Sequence, residues 1–194
     1  MKKLISLILA LAMVAAMAVG CSNVAPAETT TEPSVVVPES ALEILENIWA
    51  LYGEDEKFFC MGGDFNNPVD NAPGNYSLED AEMLSYQLYV PADQVASIDQ
   101  AASLIHGMNV NTFTSGVFHL AEGVDANAFA TAVRDNVQSA QWMCGFPEKL
   151  IVAVVGGEYV LMAFGLNDAM TPFEAKLTTA YPDAVMAYNE AITG

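Results

Sequence analysis

The sequence predicts an α+β fold built on an antiparallel sheet, flanked by helices near both ends of the chain. Three observations carry the prediction. An apolar, β-rich run from Leu150 to Val155 meets a second, Tyr159 to Phe164, across Gly156-Gly157, the signature of a hairpin closed by a two-residue turn. Helix-start signals stand at Ser40, Ser77 and Asp125, each ahead of apolar residues at helical spacing. The order of elements reads α-α-(α or β)-β-α-β-β-α, which lacks the strict alternation of a parallel βαβ fold. Of 194 residues, 53% are hydrophobic, enough for a sizeable core and against wholesale disorder.

Lys2 and Lys3 precede an apolar stretch from Leu4 to Val19, broken only by Ser6, and then Ala18-Val19-Gly20-Cys21. Charge, a short apolar run and small residues form the layout of a signal peptide over residues 1–20. The run, about 16 residues, is short of the roughly 20 that a membrane span needs. Its end resembles a bacterial lipobox. That resemblance implies S-diacylglycerylation of Cys21, which would become the first residue of the mature chain on the outer face of the cytoplasmic membrane. Two acyl chains anchor a protein stably where one does not. Residues 21–38 are rich in Ala, Pro, Thr, Glu, Ser and Val and lack aromatics, with Pro26, Pro33 and Pro38 keeping them extended. They read as a tether with a reach of about 55 Å at roughly 3.3 Å per residue. A single acidic domain is expected over 39–194.

Within it, Ser40 and Glu43 form a capping box, and Leu42, Leu45, Ile48 or Trp49, and Tyr52 share a helical face that ends at Gly53. Residues 60–76 concentrate Gly, Asn, Asp and Pro and predict a long loop, a place where function often resides. Ser77 caps a second helix with Leu78, Ala81 and Leu88 inward, stopped by Pro91. In 93–110, Val95, Ile98, Ala102 and Ile105 fit a helix, while 101–108 reads equally as a buried strand. Val117 to Leu120 form a short strand. Asp125 caps a third helix with Phe129, Ala132, Val133, Val137 and Ala140 inward. After the hairpin, Thr171-Pro172-Phe173-Glu174 reads as N-cap, first-turn proline and capping acid. Pro182 restarts or kinks a final helix that carries Val185 and Tyr188.

Asn109-Val110-Asn111 through Phe118, Phe129 to Val137, Gln141-Trp142-Met143-Cys144-Gly145-Phe146-Pro147 and the Gly156-Gly157 hairpin together carry a resemblance over roughly residues 80–166. The pattern is similar to small lipoproteins of Gram-positive bacteria with a domain of unknown function, some loosely labelled bacteriocin transport accessory protein. The resemblance implies a helix leading into a Trp-x-Cys segment and then a strand hairpin. It favours strand for 98–108, and so a β-β-α-β-β core. No Cys-x-x-Cys stands in the chain, so a thioredoxin-type redox activity does not carry over.

Six Lys+Arg against 24 Asp+Glu give a net charge of −18, which excludes ordinary nucleic-acid binding. The surplus reads as a solvated face, or as an attraction for cationic peptides or metal ions. With Cys21 lipidated, Cys60 and Cys144 remain. A disulfide would close a loop of about 85 residues, worth about 4 kcal/mol in the chain-entropy model, and two buried thiols are the alternative. Cys144 with His106 or His119 would be the thiol-enzyme reading. Asp64, Asn66, Asn67 and Asp70 offer oxygens at calcium-like spacing, but an EF-hand needs Gly and Glu where Val69 and Asn75 stand. The same residues are natural turn formers. Trp142 and Phe146 read either as a core plug or as an aromatic binding rim. No phosphate loop, catalytic-serine motif, zinc motif or cofactor fingerprint occurs. The expectation is therefore a membrane-tethered, non-enzymatic binding or accessory module. Its contact surfaces would be 60–76 and Trp142–Phe146, and its partner a protein or peptide of cationic character. A purely structural envelope lipoprotein is the further alternative.

Overall fold

The computed structural model describes residues 38–108, 111–143 and 145–193. The apolar leader, Cys21, the stretch before Pro38 and Cys144 lie outside these. Helix α1 (Ala41–Ala50) starts where the capping box predicts. Glu43 N donates to Ser40 Oγ at 3.1 Å, and the Glu43 carboxylate accepts from Glu39 N at 2.6 Å, one residue earlier than the standard box. Its inward residues Ile44, Leu45, Ile48 and Trp49 are buried.

Eight strands follow in one sheet: β1 (Cys60–Gly63), β2 (Pro68–Asp70), β3 (Gly74–Tyr76), β4 (Ile98–His106), β5 (Thr114–Leu120), β6 (Lys149–Val155), β7 (Tyr159–Gly165) and β8 (Val185–Ala191). Their spatial order is β2-β1-β4-β5-β7-β6-β8, with β3 also on β4, and every described pairing is antiparallel. Helices α2 (Ala81–Leu88), α3 (Ala126–Gln138) and α4 (Asn167–Ala180) complete an α+β fold. The β-β-α-β-β unit runs from β4 to β7 through α3.

The central strands of the sheet are buried on both faces, which is why β6 and β7 are apolar without alternation. Successive side chains point to opposite sides. Ile151, Ala153, Leu161 and Ala163 pack with α1 and α4. Leu150, Val152, Val160 and Met162 pack with α2 and α3. Each fully buried Leu, Ile or Phe contributes about 1.5–3 kcal/mol.

Several local expectations are corrected. Residues 60–76 are three short strands joined by turns, because the edge of β4 offers backbone partners that propensity does not register. Helix α2 is capped by Asp80, whose Oδ1 accepts from Met83 N at 3.0 Å, while Ser77 closes a small turn with Glu79 N. Its C-cap is Tyr89 at φ 55°, two residues before Pro91. Of the two readings left open for 93–110, residues 98–106 take the strand that the resemblance implies, after a short 3-10 turn at Val95–Ser97. The hairpin loop has three residues, Gly156, Gly157 and Glu158, since Val155 pairs with Tyr159. Helix α4 begins at Asn167, not at Thr171. The Glu148 carboxylate, from the chain before β6, accepts from Asn167 N at 2.9 Å, a cap that no local motif announces. The predicted last helix is β8. The outer edge of β6 needs hydrogen-bond partners, and the spacing of Val185 and Tyr188 is too short a pattern to decide against a strand.

Pairing register gives the sheet two ends. Ile98 of β4, Leu120 of β5 and the β6–β7 loop mark one. There Pro38 Cδ lies 3.3 Å from where a Cβ on Gly156 would stand. His106 of β4 and Thr114 of β5 lie toward the other.

Candidate functional site

The site grows out of an interrupted edge strand. β1 pairs with the last third of β4 (Met61↔Ile105) and β3 with its middle (Asn75↔Ala102), so the two lie in line along one edge. Between them the chain leaves the sheet, turns, pairs back on β1 as β2 and returns. The neck is made by glycines. A Cβ on Gly62 would stand 2.2 Å from Gly74 N, and one on Gly74 would stand 2.6 Å from Gly63 N. Gly63 adopts φ 78°. Ser103 Oγ donates to Gly63 O at 2.8 Å, and Trp49 Nε1 to Asn71 O at 3.3 Å, which ties the excursion to β4 and α1.

Asp64 braces the outgoing turn. Only 8% exposed, it accepts from Asn66 N at 2.7 Å and Asn67 N at 3.0 Å through Oδ1, and from Ser77 N at 3.2 Å through Oδ2. Desolvation pushes its pKa up, but the hydrogen bonds from Asn66, Ser77 and Asn67 outweigh that and hold it below the usual carboxylate range. Of the four expected contact residues in this segment, the structure thus brings Asp64, Asn66 and Asn67 into one turn. Asp70 stands apart on exposed β2, opposite Met61. Among the described residues no cluster of three or more His, Cys, Asp or Glu could hold a metal ion.

Two clefts flank Phe65, whose ring is 78% exposed. One, about 250 Å³, is lined by Met61, Gly63, Phe65, Pro68, Gln87 and Ile105 and is mainly apolar. The other, about 300 Å³, lies between Phe65 and the start of α2, where Glu79, Asp80 and Glu82 contribute carboxylates and Met83 an apolar wall. Asp64 and Phe65 line both. Neither cleft is lined by Lys or Arg. The domain's four cations are engaged elsewhere: Lys57 with Glu54, Arg134 with Asp135 and Glu190, Lys149 with Glu174, and Lys176 with Glu56. Tyr76, buried between the second cleft and the sheet, donates to Gln87 Oε1. Burial, then the Asp64 and Asp80 carboxylates, push its phenol up to about 12.

Phe65, Met61, Gln87 and Ile105 escaped the sequence reading. Only an aromatic set among turn formers hinted at Phe65; Met61 and Ile105 meet through strand pairing, and Gln87 comes from α2.

The second expected surface divides. Trp142 packs between Tyr89 and Phe164, with ring centroids 5.3 and 5.2 Å away, and acts as a plug on the core. Its indole Nε1 is buried without a hydrogen-bond partner among the described residues. Phe146 and Met143 project outward, 65% and 88% exposed. Neither Trp142 nor Phe146 lines the clefts about Phe65.

Cys60 is buried with no disulfide partner among the described residues, and burial pushes its thiol up to about 11. Its expected disulfide partner and the expected thiol nucleophile are the same residue, Cys144, outside the described residues. His106, directly across from Cys60, accepts from Met108 N at 3.1 Å through Nδ1 and stacks on Phe58 at 5.0 Å; burial lowers its pKa. His119 is hydrogen-bonded to Asp99 and lies 3.9 Å from Glu158. Both imidazoles thus have structural partners. Neither a family model, nor a curated protein, nor a solved structure matches this chain.

Proposed function

We propose that the chain is a membrane-anchored extracytoplasmic lipoprotein whose domain is a non-enzymatic binding or accessory module. The carrying observation is the exposed Phe65 between an apolar and an acidic cleft, mounted on a neck of three glycines at a sheet edge. Leaving a phenyl ring in water forgoes about 1.5–3 kcal/mol of burial, and contiguous exposed apolar surface is characteristic of interaction sites. The lipobox-like run ending at Cys21 supports the anchor. The chain enters the described domain at Pro38, by the Ile98 end of β4, whereas the apolar cleft sits by Ile105, about 23 Å further along the strand.

The anchor is tested with Cys21→Ser, which should move the protein from the membrane fraction into the medium; an unchanged membrane fraction would remove the lipid from the reading. The module is tested with a photoreactive phenylalanine analogue at position 65 in cells. A discrete crosslinked product, competed by added wild-type protein but not by Phe65→Ser, is the expected result. Absence of any competed product would sink the binding role.

A further inference from the structure

We infer that the two clefts about Phe65 form one docking groove for a cationic partner segment, taking an apolar side chain beside Met61, Pro68 and Ile105 and a Lys or Arg beside Glu79 and Glu82. The inference rests on the binding-module reading and names the chemistry of its partner. Phe65 is the shared wall, so a single short segment can reach both clefts. The acidic cleft holds Glu79, Asp80 and Glu82 with no basic residue among its lining, and every cation of the described domain is already paired with a carboxylate. Among the described residues no basic side chain neutralises the groove, which leaves that role to a positive charge on the partner.

Charge also eliminates other occupants. A second copy carries the same net −18, and the stretch 21–37 contributes Glu28 and Glu32 with no Lys or Arg. An anionic membrane surface is repelled in the same way. Carboxylates alone would give a weak, salt-screened attraction; the apolar cleft beside them supplies the anchor that makes a contact specific.

The test is fluorescence anisotropy of the full chain in detergent with labelled eight-residue peptides of alternating Lys-Leu, Lys-Ser and Glu-Leu. Saturable binding of Lys-Leu is expected, with Lys-Ser and Glu-Leu weaker. Phe65→Ser, a surface change that leaves the core intact, should weaken Lys-Leu about tenfold. Glu79→Gln with Glu82→Gln should weaken it about fivefold and flatten its salt dependence. Asp168→Asn with Asp183→Asn, exposed acids outside the groove lining, should change nothing. Equal binding by wild type and Phe65→Ser, or Lys-Ser binding as tightly as Lys-Leu, would reduce the effect to bulk polyanion attraction and overturn the groove. Absence of Lys-Leu binding together with a competed crosslink at position 65 would overturn the cationic occupant alone. Absence of both would remove the binding role with it.

Discussion

Gly62 shows how a single missing Cβ can hold a functional segment. Two backbones pass so closely at the neck that Gly62→Ala would put a methyl 2.2 Å from a peptide nitrogen, with no flexible side chain to yield. The expected loss is about 3 kcal/mol in urea unfolding, the upper range for overpacking. Gly157→Ala should cost only about 1 kcal/mol, because its φ of 83° is strained for alanine but nothing lies within 4 Å. The reverse ranking would show that the neck opens freely. Cys60 gives a chemical check. Its thiol should resist alkylation at neutral pH until denaturant is added, as read by mass spectrometry of the Cys60 peptide; rapid labelling of the folded chain would mean the β1 edge opens. Asp64 illustrates why a loop composition is ambiguous. Sequence named it as a contact residue or a turn former, and its oxygens are taken up by the Asn66 and Asn67 donors of its own turn and by the distant Ser77 N.

Among elements, β8 depends most on distant partners. Glu174 of α4 accepts from Lys149 of β6 and Asn189 of β8, and Glu190 of β8 accepts from Arg134 and Gln138 of α3. These contacts hold the last strand from both layers. The Lys149 ammonium beside Glu174 holds its carboxyl below the usual range. A lowered folded pKa stabilises above the unfolded value, 4.5, and the contribution fades as pH falls through the folded one. Glu174→Gln should therefore cost about 1 kcal/mol at pH 7, modest because the pair is partly hydrated, with the deficit closing as the pH drops below about 4.5. A deficit constant down to the lowest pH would show that packing, not charge, is lost. The helix predicted after Pro182 failed at this scale. Two residues at helical spacing, Val185 and Tyr188, cannot outweigh an open sheet edge.

At the scale of the molecule, 24 acids face six bases, and the described bases are all paired. Self-repulsion should make the folded state salt-dependent. Raising NaCl from about 10 mM to about 500 mM should lift Tm by about 2–4 °C, the shift that about 1 kcal/mol produces in a domain this size. A flat response would mean that the surplus acids are too dispersed to interact. On the alkaline side, Cys60 and Tyr76 have raised pKa values of about 11 and 12, against ordinary values of 9.0 and 10.0. Burial favours their neutral forms, so this contribution is complete below pH 9 and is lost as pH rises from about 9 to 12. Stability across that interval should fall smoothly, and a Tyr76→Phe variant should lose less of it.

By itself the sequence determined the α+β class, the β6–β7 hairpin, the cap of α1 at Ser40 and that of α3 at Asp125. It also determined the acidic character. These are written in residues near one another along the chain, where caps, turns and periodicity act through a few bonds. Only the tertiary structure decided that 60–76 would be strands rather than a loop, that Glu148 would start α4, and that the chain would close as β8. It alone set Phe65 between Met61 and Ile105 on one side and the acids at the start of α2 on the other. Those outcomes depend on pairing across tens of residues, where an edge's unsatisfied backbone groups choose the partner and local preference only follows.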